Sequence, residues 1–312
     1  MKQYLLNRML SGVIVLLGIS IFSFALVHFI PGDPVRIMLG EKATKAQVEQ
    51  VREQMGLNQP LPHQYLTYME KVIQGDFGNS LQTERPVIVE IMERFPATAK
   101  LAFAGIGIAV VIGLTMGMIA AKYKNTLLDF MLMAAASIGL SLPSFWLGLL
   151  VIMFFSVQLG WFPIAGGTGW KDLVLPACTL GVLSSAMISR LTRSGMVEVL
   201  SHDYIRTARA KGLRESIILF RHALCNVMIP VVTVVGLQIA TLLGGAVIIE
   251  QVFNWPGIGT LAIRAISARD FPMIQGIVLL MGFVYVVVNM MVDLLYGLID
   301  PRVDLITEKE GR

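Results

Sequence analysis

Six stretches of this chain stay apolar for about 20 residues, the length a helix needs to cross the hydrocarbon of a bilayer. They cover residues 9–30, 101–121, 130–157, 173–189, 227–249 and 274–299. The pattern predicts an all-α polytopic membrane protein with six transmembrane helices. The first stretch is too long for a signal-peptide core and no clear small-residue cleavage site follows it, so it reads as a retained helix. Between the fourth and fifth stretches the pattern changes. Residues 190–230 read RLTRSGMVEVLSHDYIRTARAKGLRESIILFRHALCNVMIP, basic and water-compatible. The spacing predicts a helix over 196–211, with Val197, Leu200, Tyr204 and Ala208 on one face and Glu198, Asp203, Arg206 and Arg209 mostly off it. Gly212 suits the left-handed residue that stops such a helix, and 215–226 predicts a second short helix. A positive flank that merely fixes topology needs a few Lys or Arg. A patterned helix, a glycine and a second helix read instead as a docking surface for a cytosolic partner.

A polar insert of mixed charge occupies 31–98 on the other side of the membrane. Thr44 is placed to cap a helix reaching Met55, with Gly56 as its stop. A second amphipathic helix is expected over 63–73. Gly75 to Gly78 then turn, and 86–95 lead back to the membrane. The insert reads as a contact surface for an extracytoplasmic partner or as a lid over helix ends. In the connector 158–172, Trp161 and Trp170 read as interfacial anchors. The outer loop 250–272 contains the turn Trp255, Pro256, Gly257, assigned to an outer gate or partner loop. There is no internal repeat.

Composition agrees with the pattern. The chain has 312 residues, 55% hydrophobic and 15% charged, against about a quarter charged in soluble domains. The net charge of +4 comes from one side. Lys2, Arg8, Lys122, Lys124, Arg190, Arg193, the basic segment, Arg302, Lys309 and Arg312 gather there, while the short connectors opposite carry Lys171, Arg264 and Arg269. The positive-inside bias makes both termini and the basic segment cytoplasmic. Its basic residues are interleaved with Glu198, Asp203 and Glu215 rather than with stacking aromatics, so no nucleic acid is expected. Cys178 and Cys225 fall at opposite membrane faces, too far apart for a disulfide.

Catalytic chemistry is mostly absent. No G-x-x-x-x-G-K-[ST] stretch occurs, so the chain is not expected to hydrolyse ATP itself, and no H-E-x-x-H or complete serine-protease turn is present. His28, His63, His202 and His222 do not cluster. His28 is read as an outer-end residue rather than a metal ligand, and no metal or cofactor is expected. The many methionines read as apolar filling. Polar residues inside spans carry more information. Ser137, Ser141 and Ser144 fall at i, i+4 and i+7 beside Pro143; they line a solute path or simply let helices approach. Asn289 and Asp293 lie one turn apart in the last span, where the Asp is expected to tie helices together.

The string D203YIRTARAKGL213 runs on through His222, Ala223 and Leu224. It resembles the EAA loop of bacterial ABC-importer permeases: EAA, three residues, G, nine residues, I-x-L-P. Here Arg206 and Thr207 replace the first two residues of that motif, no Pro follows Leu224, and Cys225 stands where a basic residue often precedes Asn. Together with H28FIPGDP34, G75DFGNS80, F253NWPGIG259 and D300PR302, the resemblance covers nearly the whole chain. It is to the dipeptide, oligopeptide, glutathione and nickel importer permeases. It implies a type-I permease core at 95–304, preceded by a first helix plus outer insert at 1–94 and followed by a cytoplasmic tail at 305–312, in a bacterial inner membrane. The implied partners are a homologous permease, two cytosolic ATPases and an extracytoplasmic solute-binding protein. The implied ATPase-coupling residues are Asp203, Tyr204, Arg206, Thr207, Ala208, Arg209, Gly212 and His222. A secondary transporter or channel is the rival class, but neither inverted repeats nor mid-membrane charges support it.

Overall fold

A computed structural model describes residues 2–29, 44–54, 58–164, 166–167, 169–244 and 246–299, and these are helical apart from connectors and one isolated β-bridge. The helices are α1 (Lys2–Phe29), α2 (Lys45–Gln54), α3 (Leu61–Ile73), α4 (Val87–Lys122), α5 (Leu127–Ser141) and α6 (Ser144–Gln158). They continue with α7 (Trp170–Leu200), α8 (Asp203–Ala210), α9 (Glu215–Leu243), α10 (Val247–Val252), α11 (Ile258–Ser267) and α12 (Phe271–Ile299). Five described helices are long and apolar enough to cross a bilayer, and α5 with α6 makes a sixth if that bent pair counts as one span.

The centre of the fold is the pair α4 and α7. A Cβ on Gly113 would stand 2.6 Å from Cβ of Ile188, one on Gly117 2.6 Å from Cβ of Thr192, and one on Gly181 2.5 Å from the Ile108 side chain. Lipid is as apolar as leucine, so close contact between small residues does what the hydrophobic effect does in water. Thr179, Ser185, Ser189 and Thr192 are buried in α7. Thr179, Ser185 and Ser189 each donate to a carbonyl three or four residues back, which removes the cost of burying a hydroxyl.

Three expectations from the pattern need correction. The third stretch is not one straight helix. It breaks between Ser141 and Ser144, and its two arms are bent by 106°. Pro143 has no N–H and forces the residue before it out of the helical region; Leu142 is extended, with ψ 131°. Ser137, Ser141 and Ser144 therefore do not share one helical face. Likewise, the fourth stretch does not end where the basic residues begin, because α7 continues to Leu200. Finally, 215–226 is no separate short helix: its π-wound turns over Ile218–Leu224 run directly into α9, which stops at Leu243.

α1 packs on α12 at the edge of the bundle and exposes Leu10, Ile14, Ile21 and Phe22. The segment between α1 and α4 is pinned in two places. Ser20 of α1 bonds the Tyr65 hydroxyl of α3 at 2.7 Å, and Ser80 donates at 2.5 Å to Asp270, which in turn accepts from the Met273 N–H in the first turn of α12. Helices appear at Lys45–Gln54 and Leu61–Ile73, as expected. Gly56, residues 30–34 of the string 28–34, the string 300–302 and the tail 305–312 lie outside the described residues, and so does the His28 side chain.

Candidate functional site

The basic segment does not form the single helix predicted for 196–211. α7 ends at Leu200, Ser201 and His202 interrupt, and α8 starts at Asp203. This break rotates the inward face: Ile205 is fully buried and Ala208 nearly so, both packed with Ile218 and Leu200. Tyr204, expected on that face, is 44% exposed. Asp203, Arg206, Thr207, Arg209 and Gly212 are also exposed, while His222 is half-buried. α8 thus lies on the end of the bundle by two small anchors and presents most of its surface outward.

Gly212 ends α8 in the left-handed region, with φ +76°. Leu213 N–H bonds the Ala208 carbonyl and Gly212 N–H bonds the Arg209 carbonyl, the paired closure that satisfies the last free carbonyls of a helix. Arg209 Nε reaches back over this turn to Glu215 at 2.8 Å. Both partners are half exposed, so the pair guides geometry more than it adds stability. Asn226, which sequence reasoning passed over, joins the two sides: its Nδ2 donates to the His222 carbonyl at 2.7 Å and to the Tyr204 hydroxyl at 3.0 Å. The signal available was an amide directly before the apolar stretch 227–249.

On the opposite side of the fold, the turn at Trp255, Pro256 and Gly257 is not an open partner surface. Trp255 is 2% exposed and donates from Nε1 to the Ala97 carbonyl, and Gly257 is buried. The centre of this region is Glu250, fully buried. Its Oε1 accepts from Thr98 at 2.7 Å, and its Oε2 from the Gly259 and Thr260 N–H groups at 2.7 and 3.2 Å. Those amides belong to the first turn of α11, so Glu250 caps a helix whose own cap residue, Gly257, has no side chain. Burial pushes the Glu250 carboxyl above its usual range, while the Thr98 hydroxyl and the two backbone donors pull it down. Glu250 was legible only as a lone acid ahead of two glycines.

The remaining polar residues hold helices together. Arg193 of α7 grips Asp129 of α5 with both arms, Nε to Oδ1 at 2.5 Å and Nη2 to Oδ2 at 2.6 Å. Asp293 of α12 receives Arg8 of α1 at 2.5 Å, the helix-tying role expected for it. Ser137 and Ser141 are exposed and Ser144 is half-buried, on the two arms of the broken span. No three metal-ligating side chains converge among the described residues. The Arg193–Asp129 and Arg8–Asp293 contacts tie one helix to another.

Comparison with known proteins agrees with this architecture. Residues 113–305 match the family described as binding-protein-dependent transport system inner membrane component, and residues 1–102 match its N-terminal counterpart. The chain is 44% identical over 303 residues to the glutathione transport system permease protein GsiC of Escherichia coli (strain K12), covering 97% of this chain and 99% of that one. The protein of the same name from Pectobacterium atrosepticum is 43% identical over the same length. Among solved structures, the inward facing conformations of the MetNI methionine ABC transporter share the fold, with a TM-score of 0.57 over 68% of this chain and 96% of that one at 20% identity. The chain therefore belongs to the inner-membrane permeases of binding-protein-dependent transport and is a permease subunit of an ABC importer of the dipeptide, oligopeptide, glutathione and nickel family.

Proposed function

We propose that this permease admits a short peptide-class solute, and that α8 with the Gly212 turn is the seat of a cytosolic ATPase. The observation that carries the docking reading is the exposure of α8. It buries only Ile205 and Ala208 against the bundle and leaves Asp203, Tyr204, Arg206, Thr207 and Arg209 exposed. The Lys and Arg bias supports an inside position for this end and for both termini. A solute-binding protein delivers the solute to the outer face, two homologous permeases enclose its path, and two ATPases closing on ATP pull their α8 seats together. Rigid pieces such as the α4–α7 pair then rearrange as bodies, a two-state change in helix packing.

Glutathione is a tripeptide and is the solute in the names of relatives at 44% identity, which favours a peptide-class solute over a metal chelate. Ser137, Ser141 and Ser144, now on two arms of a broken span, are our candidates for the path. The test is uptake of labelled glutathione, a labelled dipeptide and nickel by cells expressing the whole importer. Uptake of a peptide that needs the binding protein is expected; uptake of nickel with neither peptide would overturn the substrate reading. A bulky residue at Ser141 should lower uptake and leave basal ATPase activity intact. Dissociation of the complex instead would mean the serine is packing.

A further inference from the structure

Where α1 crosses α12, near the ends that carry the chain termini, a cleft of about 210 Å³ opens, lined among others by Arg8, Ser11, Tyr285, Asn289 and Asp293. Asp293 lies 22 residues beyond Phe271, about 33 Å along the helix at 1.5 Å per residue. Its partner Arg8 directly precedes the apolar stretch 9–30 of α1, so the cleft opens at the edge of the apolar zone of that helix. The neighbouring surface of α1, at Leu10, Val13 and Ile14, is exposed and apolar. In a membrane-spanning chain such an apolar surface suits contact with acyl chains.

The chemistry of the lining is specific. Tyr285, Asn289 and Asp293 recur every four residues and so share one face of α12. Arg8 Nε and Nη2 both engage Asp293 Oδ2, and Asn289 uses its Nδ2 on the Tyr285 carbonyl. Asp293 Oδ1, Asn289 Oδ1 and the Tyr285 hydroxyl then have no hydrogen-bond partner among the described residues. Together they form a row of acceptors, one of them charged, with a guanidinium beside it.

We propose that this cleft binds the head group of an aminophospholipid such as phosphatidylethanolamine, its primary ammonium on Asp293 and Asn289 and its phosphate on Arg8. A primary ammonium carries three donors and the row supplies acceptors for them. A guanidinium matches phosphate oxygens. A zwitterion laid antiparallel to the Arg8–Asp293 pair leaves no like charges together, whereas an anionic head group would bring its charge to Asp293. The volume is below the roughly 300–1,000 Å³ of pockets that enclose drug-sized ligands. It accommodates a head group, with the acyl chains left in the bilayer, better than a peptide.

The importer complex, delipidated and reconstituted into vesicles of equal phosphatidylethanolamine and phosphatidylcholine, is re-purified and its retained lipid is counted by mass spectrometry. Phosphatidylcholine has the same charges but no N–H donor. Enrichment of the ethanolamine lipid is expected, falling by about threefold in Asn289→Leu, the effect of one hydrogen bond lost within a membrane. Equal retention of the two lipids by the native complex overturns the proposal, as does enrichment that persists unchanged in both Asn289→Leu and Asp293→Asn. A second reconstitution uses phosphatidylglycerol with phosphatidylethanolamine, and preference for the glycerol lipid makes this an anion site, also against the proposal. Displacement of the lipid by millimolar glutathione would assign the cleft to solute instead.

Discussion

A Cβ placed on Gly257 would lie 2.4 Å from the carboxyl carbon and from both oxygens of Glu250. Glycine stands at the head of α11 because a carboxylate from the preceding helix fills the space of its side chain and performs its capping. Gly257→Ala must push Glu250 away from Thr98, Gly259 and Thr260. The expected cost is about 2–4 kcal/mol, the sum of a lost cap and orphaned buried donors, read as a lower melting temperature of the purified complex in detergent. An unchanged melting temperature would show that the two residues do not compete for one space.

Glu250 also predicts a pH dependence. Its folded carboxyl titrates above the unfolded one, whose value is about 4.3. The protonated form is thus favoured by folding. The group's contribution is full below that unfolded value and is lost as pH rises through the folded one. Glu250→Gln should flatten this part of the curve of melting temperature against pH while lowering stability throughout, because one amide cannot accept from all three donors. Parallel curves for the two proteins would refute the assignment.

The bidentate contact of Arg193 with Asp129 joins α7 to the start of α5. Asp129 is 4% exposed, so removing one partner leaves a poorly solvated charge. Asp129→Asn and Arg193→Gln are each expected to cost about 1–3 kcal/mol, and the double variant less than their sum by about 1 kcal/mol or more. Additive losses in that double-mutant cycle would mean the two side chains act independently.

Gly212→Val introduces a β-branched residue at φ +76° with open space around the missing Cβ, so its effect is backbone strain of about 1–2 kcal/mol rather than a clash. The turn itself lies between α8 and α9, outside the apolar stretches. The variant should insert normally yet recover less ATPase in a pull-down and transport less solute. Full recovery and full uptake would reduce the segment to a topological flank.

Much of this protein was legible along the chain. Hydropathy found the five long apolar helices and the bent pair because each such segment is itself apolar, whatever its neighbours. The basic interruption was visible for the complementary reason: such a segment cannot sit in hydrocarbon. Gly212 could be read as a helix stop since a left-handed residue is a local requirement, and it has that geometry. Asp293 was expected to tie helices because a carboxylate in an apolar span needs a partner, and Arg8 is that partner.

What the chain did not disclose depends on groups distant in sequence. Of the prolines at 96, 143, 176 and 230, three lie inside apolar helices that continue through them. Pro143 alone of these stands at a break, with Leu142 extended before it. α4 and α7, which carry Pro96 and Pro176, are held side by side by the approach at Gly113 and Gly117; Ser141 and Pro143 are exposed and lack that brace. The role of Glu250 depends on Thr98, 152 residues earlier, and the inward turn of Ile205 on Ile218 across the Gly212 reversal. The sequence by itself determined which segments enter lipid and where water-facing chain must interrupt them, because solvation acts on each segment separately. Only the tertiary structure decided which helix breaks, which carboxylate caps which helix and which face of α8 turns inward, because packing and hydrogen bonding require two groups to meet in space.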